Sequence, residues 1–224
     1  MSDNKLDLNL LDKLFLLALD DEKGTFVSES EVFGYCIAGA ILFELSIKER
    51  IQIVENKVKI ANKEKLNDEV LDYCLEIISD SKKDRIVSHW IESIGSKEGS
   101  LRKKVLDKLI SLEILEEKEN KILWVFTNKK YPTKNELPEN RLRKRLSDII
   151  VNKSKAEMDE IMIISLVDSC GLNKEVYGKE IAKNTDKEIK SIIKAYQFAD
   201  STGKLIKELH DTIIAVTVML IAID

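Results

Sequence analysis

The sequence has little that interrupts a helix. It contains only two prolines, Pro132 and Pro138, and eight glycines among 224 residues. Apolar residues recur at spacings of three and four along most of the chain, as in the series Leu6, Leu10, Leu14 and Leu17. We therefore predict a mostly α, bundle-like fold with short peripheral β-hairpins, forming one domain over residues 1–224.

The sequence also lacks the motifs of common catalytic and metal sites. No stretch matches the glycine-rich phosphate loops, the HExxH zinc pattern or the calcium-binding loop. The only histidines, His89 and His210, lie beside apolar residues, which favours packing or surface roles over general-base chemistry. The carboxylates of residues 20–22 follow a helix directly and indicate a solvated turn. We predict that the protein is not an enzyme and uses no cofactor or metal.

Cysteine usage and the chain ends indicate a cytoplasmic protein. Cys36, Cys74 and Cys170 form no CxxC pair and cannot all pair within one chain, so we expect each to pack in the core of a protein in a reducing compartment. The N-terminus is acidic and amphipathic, unlike a targeting signal. The apolar run from Ile213 to Ile223 is shorter than the about 20 residues that span a bilayer, and predicts a buried helix.

Periodicity and turn residues predict the individual elements. A first helix ends near Asp20, and helices follow over residues 31–47, 68–79, 88–94 and 101–112. Asn67 or Asp68 is the expected N-cap of the helix over residues 68–79. Hairpins are predicted over residues 51–60, around ENK, and over residues 115–126, around KENK. A helix begins at Arg141, and the last third is helical over residues 158–169, 173–182, 187–200 and 212–222.

Positive charge is concentrated in two stretches of an acidic chain. Residues 97–108 and 129–145 together carry a charge of +8, although the net charge of the chain is -4. Both stretches lie on predicted helices or beside the second hairpin, which indicates one cationic face on an acidic body. Arginine binds phosphate with two parallel hydrogen bonds, so the arginines of these stretches are candidate anion ligands.

Aromatic residues lie next to this charge. Trp124 and Phe126 alternate with Leu123 and Val125 on a predicted strand, so one pair faces the core and the other faces outward. All four could be buried in the interior. An exposed pair beside lysines would instead suit a membrane interface, where rings enter the headgroup region, or contact with another subunit.

Several segments, taken in order, resemble the Golgi phosphoprotein 3 family. They are LDKLFLLALDDEKGTF, YCIAGAILFELSIKERI, HWIES, LRKKVLDKLISLEIL, LWVF, YPTKNELPENRLRKRL and HDTIIAVTVMLIAI. The resemblance covers nearly the whole chain. It implies a mostly helical domain with a peripheral hairpin, and a peripheral membrane protein that binds phosphoinositide, in particular phosphatidylinositol 4-phosphate.

Only part of the lipid-binding set implied by this resemblance is present. Arg102 matches one basic position, whereas another falls at Gly99, with Lys97 as a possible substitute. The expected arginine of the second helix falls at Ala38, and the expected tryptophan falls near Glu29, with Phe26 the nearest aromatic residue. The hairpin that the family uses for self-association and membrane contact corresponds to residues 123–126.

We therefore predict a protein that binds anionic phospholipid headgroups at a membrane surface from the cytoplasm. The expected headgroup ligands are Arg102, Lys97, Lys103, Arg141, Arg143 and Arg145. Leu123, Trp124 and Phe126 are expected to contact the membrane or to form a homo-oligomer. The alternative is a winged-helix-like DNA-binding regulator, because residues 101–126 read as a helix followed by a two-stranded wing, although the acidic pI of 5.5 makes a nucleic-acid partner the less favoured interpretation.

Overall fold

The structure, a computed structural model, describes residues 8–20, 23–28, 30–122, 126–196 and 201–221. Helices account for most of this part of the chain, which confirms the predicted fold class. The helices are α1 (Leu10–Ala18), α2 (Ser30–Ile47), α3 (Glu69–Ser79), α4 (Val87–Gly95), α5 (Glu98–Ser111), α6 (Leu137–Asn152), α7 (Met158–Ser169), α8 (Asn173–Tyr196) and α9 (Ser201–Ile221). The strands are β1 (Ile51–Val54), β2 (Lys57–Ile60), β3 (Arg85–Ile86), β4 (Lys118–Ile122) and β5 (Phe126–Lys130).

Helix α2 is the centre of the core. It is apolar around its whole circumference, so it needs partners on every side. It packs against α1, α3, α4, α5, α7, α9 and β1. The buried apolar residues of the described chain, from Leu10 to Val216, form one continuous cluster around it.

Side-chain caps fix the starts of two helices on this core. Asn9 caps α1 in a reciprocal capping box with Asp12, whose carboxylate accepts from the Asn9 backbone N–H at 3.0 Å. Asp68 caps α3 by accepting from the backbone N–H groups of Val70 and Leu71. Of the two caps predicted for this helix, Asp68 is the residue that the structure uses.

The first predicted hairpin is confirmed, and the second is shifted. Strands β1 and β2 pair around Glu55 and Asn56, and the short strand β3, which the sequence pattern did not predict, adds to β2. In the second hairpin KENK forms part of β4 instead of the turn, and the pairing runs as far as Ile122 opposite Phe126. The predicted turn was therefore too early in the sequence, since all four residues of KENK are paired in β4.

The limits of three helices differ most from prediction. Helix α6 begins at Leu137 instead of Arg141, because proline is tolerated in a first turn and Pro138 lies there. Helix α8 continues through the polar residues after Ala182, and its backbone kink lies at Gly178, with φ 78°. Helix α9 begins at Ser201, eleven residues before the predicted start.

The cysteines lie in the core, as expected, and two of them meet. Cys36 on α2 and Cys170 after α7 have Cα atoms 6.5 Å apart, within the span of a disulfide, with their sulfur atoms in contact. The sequence pattern did not predict this pairing. Cys74 is buried on α3, and burial raises the pKa of its thiol to about 12. None of the described helices is both long and apolar enough to cross a membrane.

A close crossing between α2 and α4 gives a direct test of the core. A Cβ atom added at Gly34 would lie 2.7 Å from the backbone oxygen of Gly95, and a backbone atom cannot move aside. We expect Gly34→Ala to lower the free energy of unfolding by about 1–3 kcal/mol, measured by urea denaturation. Gly99→Ala is the matched control, since a Cβ there meets nothing within 4 Å and the change should be neutral or slightly stabilising. Equal destabilisation by both changes would contradict this packing.

Candidate anion-binding site

Arg102 on α5 is held against two aromatic rings. Its guanidinium carbon lies 3.9 Å from the ring centre of Phe26 and 5.4 Å from that of Phe33. The rings of Phe26 and Phe33 also contact each other, 5.1 Å apart. Arg102 forms an ion pair with Glu98, one helical turn earlier. Burial lowers the pKa of the Arg102 guanidinium, although Glu98 opposes that change and the group stays charged.

A small pocket opens beside this guanidinium. Its volume is about 280 Å³, and it lies between the first half of α5, the end of β5 and the segment that follows α1. Arg102 and Lys103 line it from α5, and Lys129 and Tyr131 line it from the hairpin side. The structure thus brings α5 cations to the base of the β4–β5 hairpin. No residue of α6 is among the described residues that line this pocket.

The wall formed by residues 24–26 depends on a glycine. The Tyr131 N–H donates to the carbonyl of Gly24 at 2.9 Å, and the Gly24 N–H donates to the carbonyl of Asp20 at 2.7 Å. Gly24 has φ 63°, a left-handed conformation that glycine adopts readily. A bridge between Leu19 and Phe26 then fixes the ring that lies under Arg102.

Two other α5 cations bind carboxylates of the protein itself. Lys104 pairs with Glu69, and Lys108 pairs with Asp12 at 2.6 Å and with Asp68 at 3.4 Å. Lys97, at the start of α5, and Lys103, on its exposed side, have no ion pair with any carboxylate in the described part of the chain. The basic face predicted for α5 therefore consists mainly of Arg102, Lys103 and Lys97.

The predicted α6 arginines have different neighbours. Arg143 donates to Glu139 at 2.7 Å and to the carbonyl of Glu175 on α8 at 2.6 Å. Arg145 binds both carboxylate oxygens of Glu160 on α7, at 2.7 and 2.8 Å. Arg141 lies on the exposed side of the helix. The structure thus places Arg143 and Arg145 at the contacts of α6 with α8 and α7, away from the pocket at Arg102.

The bidentate ion pair of Arg145 controls the titration of Glu160. Burial raises the pKa of this carboxyl, but hydrogen bonds from Arg145 and from the Glu157 N–H outweigh burial and lower the pKa below its ordinary value. The hydrogen bonds that Arg145 donates to Glu160 also raise the pKa of the Arg145 guanidinium. This geometry indicates a structural bond between α6 and α7.

The residues predicted to contact a membrane or a second subunit lie largely outside the described residues. Leu123 and Trp124 lie outside the described residues. Phe126 begins β5, where its backbone pairs with Ile122. Their predicted role therefore stays a prediction.

The positions at which the sequence departs from the family pattern now have a structural context. Ala38 is fully buried on α2, so its side chain cannot reach a headgroup. Gly99 lines the Arg102 pocket, as does Phe26, the aromatic residue nearest to the expected tryptophan. Glu29 lies outside the described residues. Tyr131 was not predicted as a site residue, because a tyrosine after a strand gives no signal until the fold brings it to α5.

The protein is a mostly helical domain built around one central apolar helix. It has an arginine pocket at the base of a peripheral hairpin. Comparison with known families agrees with this description. Residues 10–209 match the Golgi phosphoprotein 3 family, and the chain therefore belongs to that family. In the described part of the chain, no group of three or more histidine, cysteine or acidic side chains could hold a metal ion.

The contact between Arg145 and Glu160 makes a prediction about acid stability. A carboxyl whose pKa is lowered in the folded state contributes stability above its ordinary pKa of 4.5 and loses it as the pH falls through the lowered value. We expect Glu160→Gln to reduce the fall in melting temperature below pH 4.5, because glutamine has no charge to lose. Glutamine also preserves the capping box of α7.

The matched control for this measurement is Glu180→Gln. Glu180 pairs with Lys183 on the surface of α8 and is 86% exposed, so its pair contributes little. The melting temperature of the Glu180→Gln variant should depend on pH as that of the unmodified protein does. If Glu160→Gln also leaves the acid dependence unchanged, the assigned ion pair is not what stabilises the contact of α6 with α7.

Proposed function

We propose that this protein is a non-enzymatic, peripheral membrane protein that binds anionic phospholipid headgroups, of the phosphatidylinositol 4-phosphate type, in the Arg102 pocket. The proposal places the chain in the cytoplasm as one domain. The observation that carries it is the position of Arg102 and Lys103 at the base of the hairpin, beside Lys129, which pairs with Glu117 at 2.8 Å. Membership of the Golgi phosphoprotein 3 family supports the same class of function.

The chemistry of the pocket suits a phosphate group. The guanidinium of Arg102 is planar and offers parallel N–H donors, and stacking on Phe26 holds that plane in a fixed orientation. Lys103 adds a mobile charge, and the nearby hydroxyl of Tyr131 can donate a hydrogen bond. A volume of about 280 Å³ is at the small end of the range for ligand pockets, as expected for a phosphate-bearing headgroup whose acyl chains stay in the bilayer.

The ion pair between Arg102 and Glu98 defines a competition at this site. Glu98 holds the guanidinium while no phosphate is present, and its carboxylate would repel an approaching anion. Binding therefore requires the phosphate to replace Glu98 as a partner of Arg102. The affinity of the pocket is limited by this internal carboxylate.

The set of proposed lipid ligands is narrower on α6 than the sequence indicated. Arg143 and Arg145 bind residues of α8 and α7, and we assign them to the structural role of holding α6 to these helices. Arg141 is retained as a lipid contact because it lies on the exposed side of α6. Leu123, Trp124 and Phe126 are retained as the proposed contact with acyl chains or with a second copy of the chain, because the hairpin begins at the pocket.

Binding to DNA is the less favoured function. A recognition helix needs its cations directed towards phosphates and bases. On α5, Lys104 and Lys108 instead bind carboxylates of the protein, and Arg102 stacks on a ring. A gel shift with duplex DNA at moderate salt, showing tight and sequence-dependent retention, would favour DNA over lipid.

Charge reversal at Lys97 and Lys103 tests the lipid proposal without breaking an ion pair of the fold. Each basic residue near an anionic surface contributes about 1 kcal/mol, so Lys97→Glu combined with Lys103→Glu should weaken vesicle binding at least roughly tenfold. The measurement is sedimentation with vesicles containing phosphatidylinositol 4-phosphate or phosphatidylserine. Binding should also weaken as salt is added.

The matched control is the double reversal Lys174→Glu and Lys179→Glu on α8. Both side chains are exposed, and the change in net charge is the same as in the test variant. This control should keep its affinity if the site is local. Equal loss in both variants would show binding through net charge alone, and equal pelleting with neutral vesicles would remove the proposal.

Neutralising Glu98 should strengthen vesicle binding instead of weakening it. Glu98→Gln removes the carboxylate that competes for Arg102, so we expect it to tighten binding to anionic vesicles by a factor of about 3–10, which corresponds to about 0.7–1.4 kcal/mol. Glu76→Gln, at an exposed position on α3, makes the same change in net charge and should have a smaller effect. Weaker binding by Glu98→Gln than by Glu76→Gln would contradict the assigned competition.

A further inference from the structure

A second cavity, larger than the Arg102 pocket, lies between the last part of α8 and helix α9. Its volume is about 650 Å³, which falls within the range of small-molecule sites. One wall consists of Lys190, Ile193 and Lys194 on one face of α8. The other wall is a face of α9 that includes His210 and Ile214.

The acidic groups of this cavity already have partners in the protein. The carboxylate of Asp168 accepts from the Asn173 side chain at 2.7 Å and lies 3.5 Å from Nε2 of His210. Asp211 on α9 pairs with Lys207, one turn earlier. Burial raises the pKa of Asp168, but the hydrogen bonds from His210 and Asn173 outweigh it, and the pKa lies below its ordinary value.

Two cations of the same cavity lack such partners. Neither Lys190 nor Lys194 forms an ion pair with any carboxylate among the described residues. They are four residues apart on α8, so both ammonium groups lie over the same helix face. This end of the cavity therefore carries two ammonium groups without a contact ion pair, and the nearest carboxylate on which the charge of Lys190 acts is that of Asp168, whose pKa it helps to lower.

The other end of the cavity continues into exposed apolar surface. Ile214 is 36% exposed, and Val218, one turn further along the same face of α9, is 59% exposed. Met219 beside it is 64% exposed. Ile193, which is 5% exposed, lines the opposite wall of the cavity beside the two lysines. Exposed apolar side chains that follow Ile214 at helical spacing are typical of a binding surface.

We propose that this cavity binds a single-chain anionic amphiphile, with its carboxylate or phosphate at Lys190 and Lys194 and its hydrocarbon chain along Ile193, Ile214 and Val218. Charge complementarity selects an anionic head, and the adjoining apolar side chains select a chain of several methylene groups. The site is separate in the fold from the Arg102 pocket. The proposal therefore does not depend on the function proposed for that pocket.

The direct test is calorimetric titration of the full chain with dodecanoate below its micellar concentration. We expect one molecule to bind per chain. Acetate has the head without the chain, and dodecyltrimethylammonium has the chain with the opposite charge, so both should bind at least tenfold more weakly. Equal binding of the cationic amphiphile, or no binding of dodecanoate, would overturn the proposal.

A pair of variants locates the site. Lys190→Gln combined with Lys194→Gln should weaken dodecanoate binding at least tenfold, whereas Lys174→Gln combined with Lys179→Gln, on the exposed first half of α8, should leave it unchanged. Unfolding curves establish that both variants fold, and if Lys190→Gln with Lys194→Gln does not fold, Ile214→Gln replaces it with the same expected loss. Unchanged affinity in the folded cavity variant would overturn the assignment.

Two further measurements separate this site from its alternatives. Sedimentation with anionic vesicles should be unaffected by Lys190→Gln with Lys194→Gln, because that binding is assigned to the Arg102 pocket. Loss of vesicle binding together with dodecanoate binding would mean that the cavity is a membrane contact instead of a site for one amphiphile. If the ligand-free protein is a dimer, and Lys190→Gln with Lys194→Gln dissociates it, the cavity is occupied by a second copy of the chain and the proposal is wrong.

Discussion

The need to cover helix α2 on every side determines the arrangement of the whole molecule. An α-helix with one apolar stripe can lie at a surface, but a helix that is apolar all round must be enclosed. Helices α1, α3, α4, α5, α7 and α9 enclose α2, and Gly34 allows α4 to approach its backbone. The proposed lipid site follows from this constraint, because Phe33 in the first turns of α2 supports Phe26, and the two rings support Arg102.

A second constraint decides which cations remain available to an external anion. The chain has 36 lysines and arginines and 40 acidic residues, so its cations can find partners within the protein. Lys108, Arg143 and Arg145 do so at contacts between helices. Cations without such partners, Lys103 at the first pocket and Lys190 and Lys194 at the second, are the ones that can attract a ligand. Local compensation of charge therefore matters more here than the density of basic residues along the sequence.

The fold was largely predictable because its signals are local. Helix α7 was predicted with its observed limits, and α2 to within one residue, since both are long apolar runs with clear ends. The turn of the second hairpin was misplaced because KENK has the composition of a turn but lies in strand β4. The polar residues after Ala182 similarly suggested a break, yet packing against α6, α7 and α9 keeps α8 helical there. Of the site, spacing identified Arg102 and Lys103, whereas the partners of Arg143 and Arg145 are distant in sequence and become visible only in the fold.

The central claim is that an anionic headgroup binds at α5 and the base of the β4–β5 hairpin, not at Arg143 and Arg145 of α6. Two-dimensional ¹H–¹⁵N NMR during titration with a soluble inositol phosphate tests it residue by residue. The account predicts shifts for the amides of Gly99, Arg102, Lys129 and Tyr131, and for the side-chain Nε–H of Arg102. Shifts centred on Arg143 and Arg145, or no saturable shifts at α5, would contradict it.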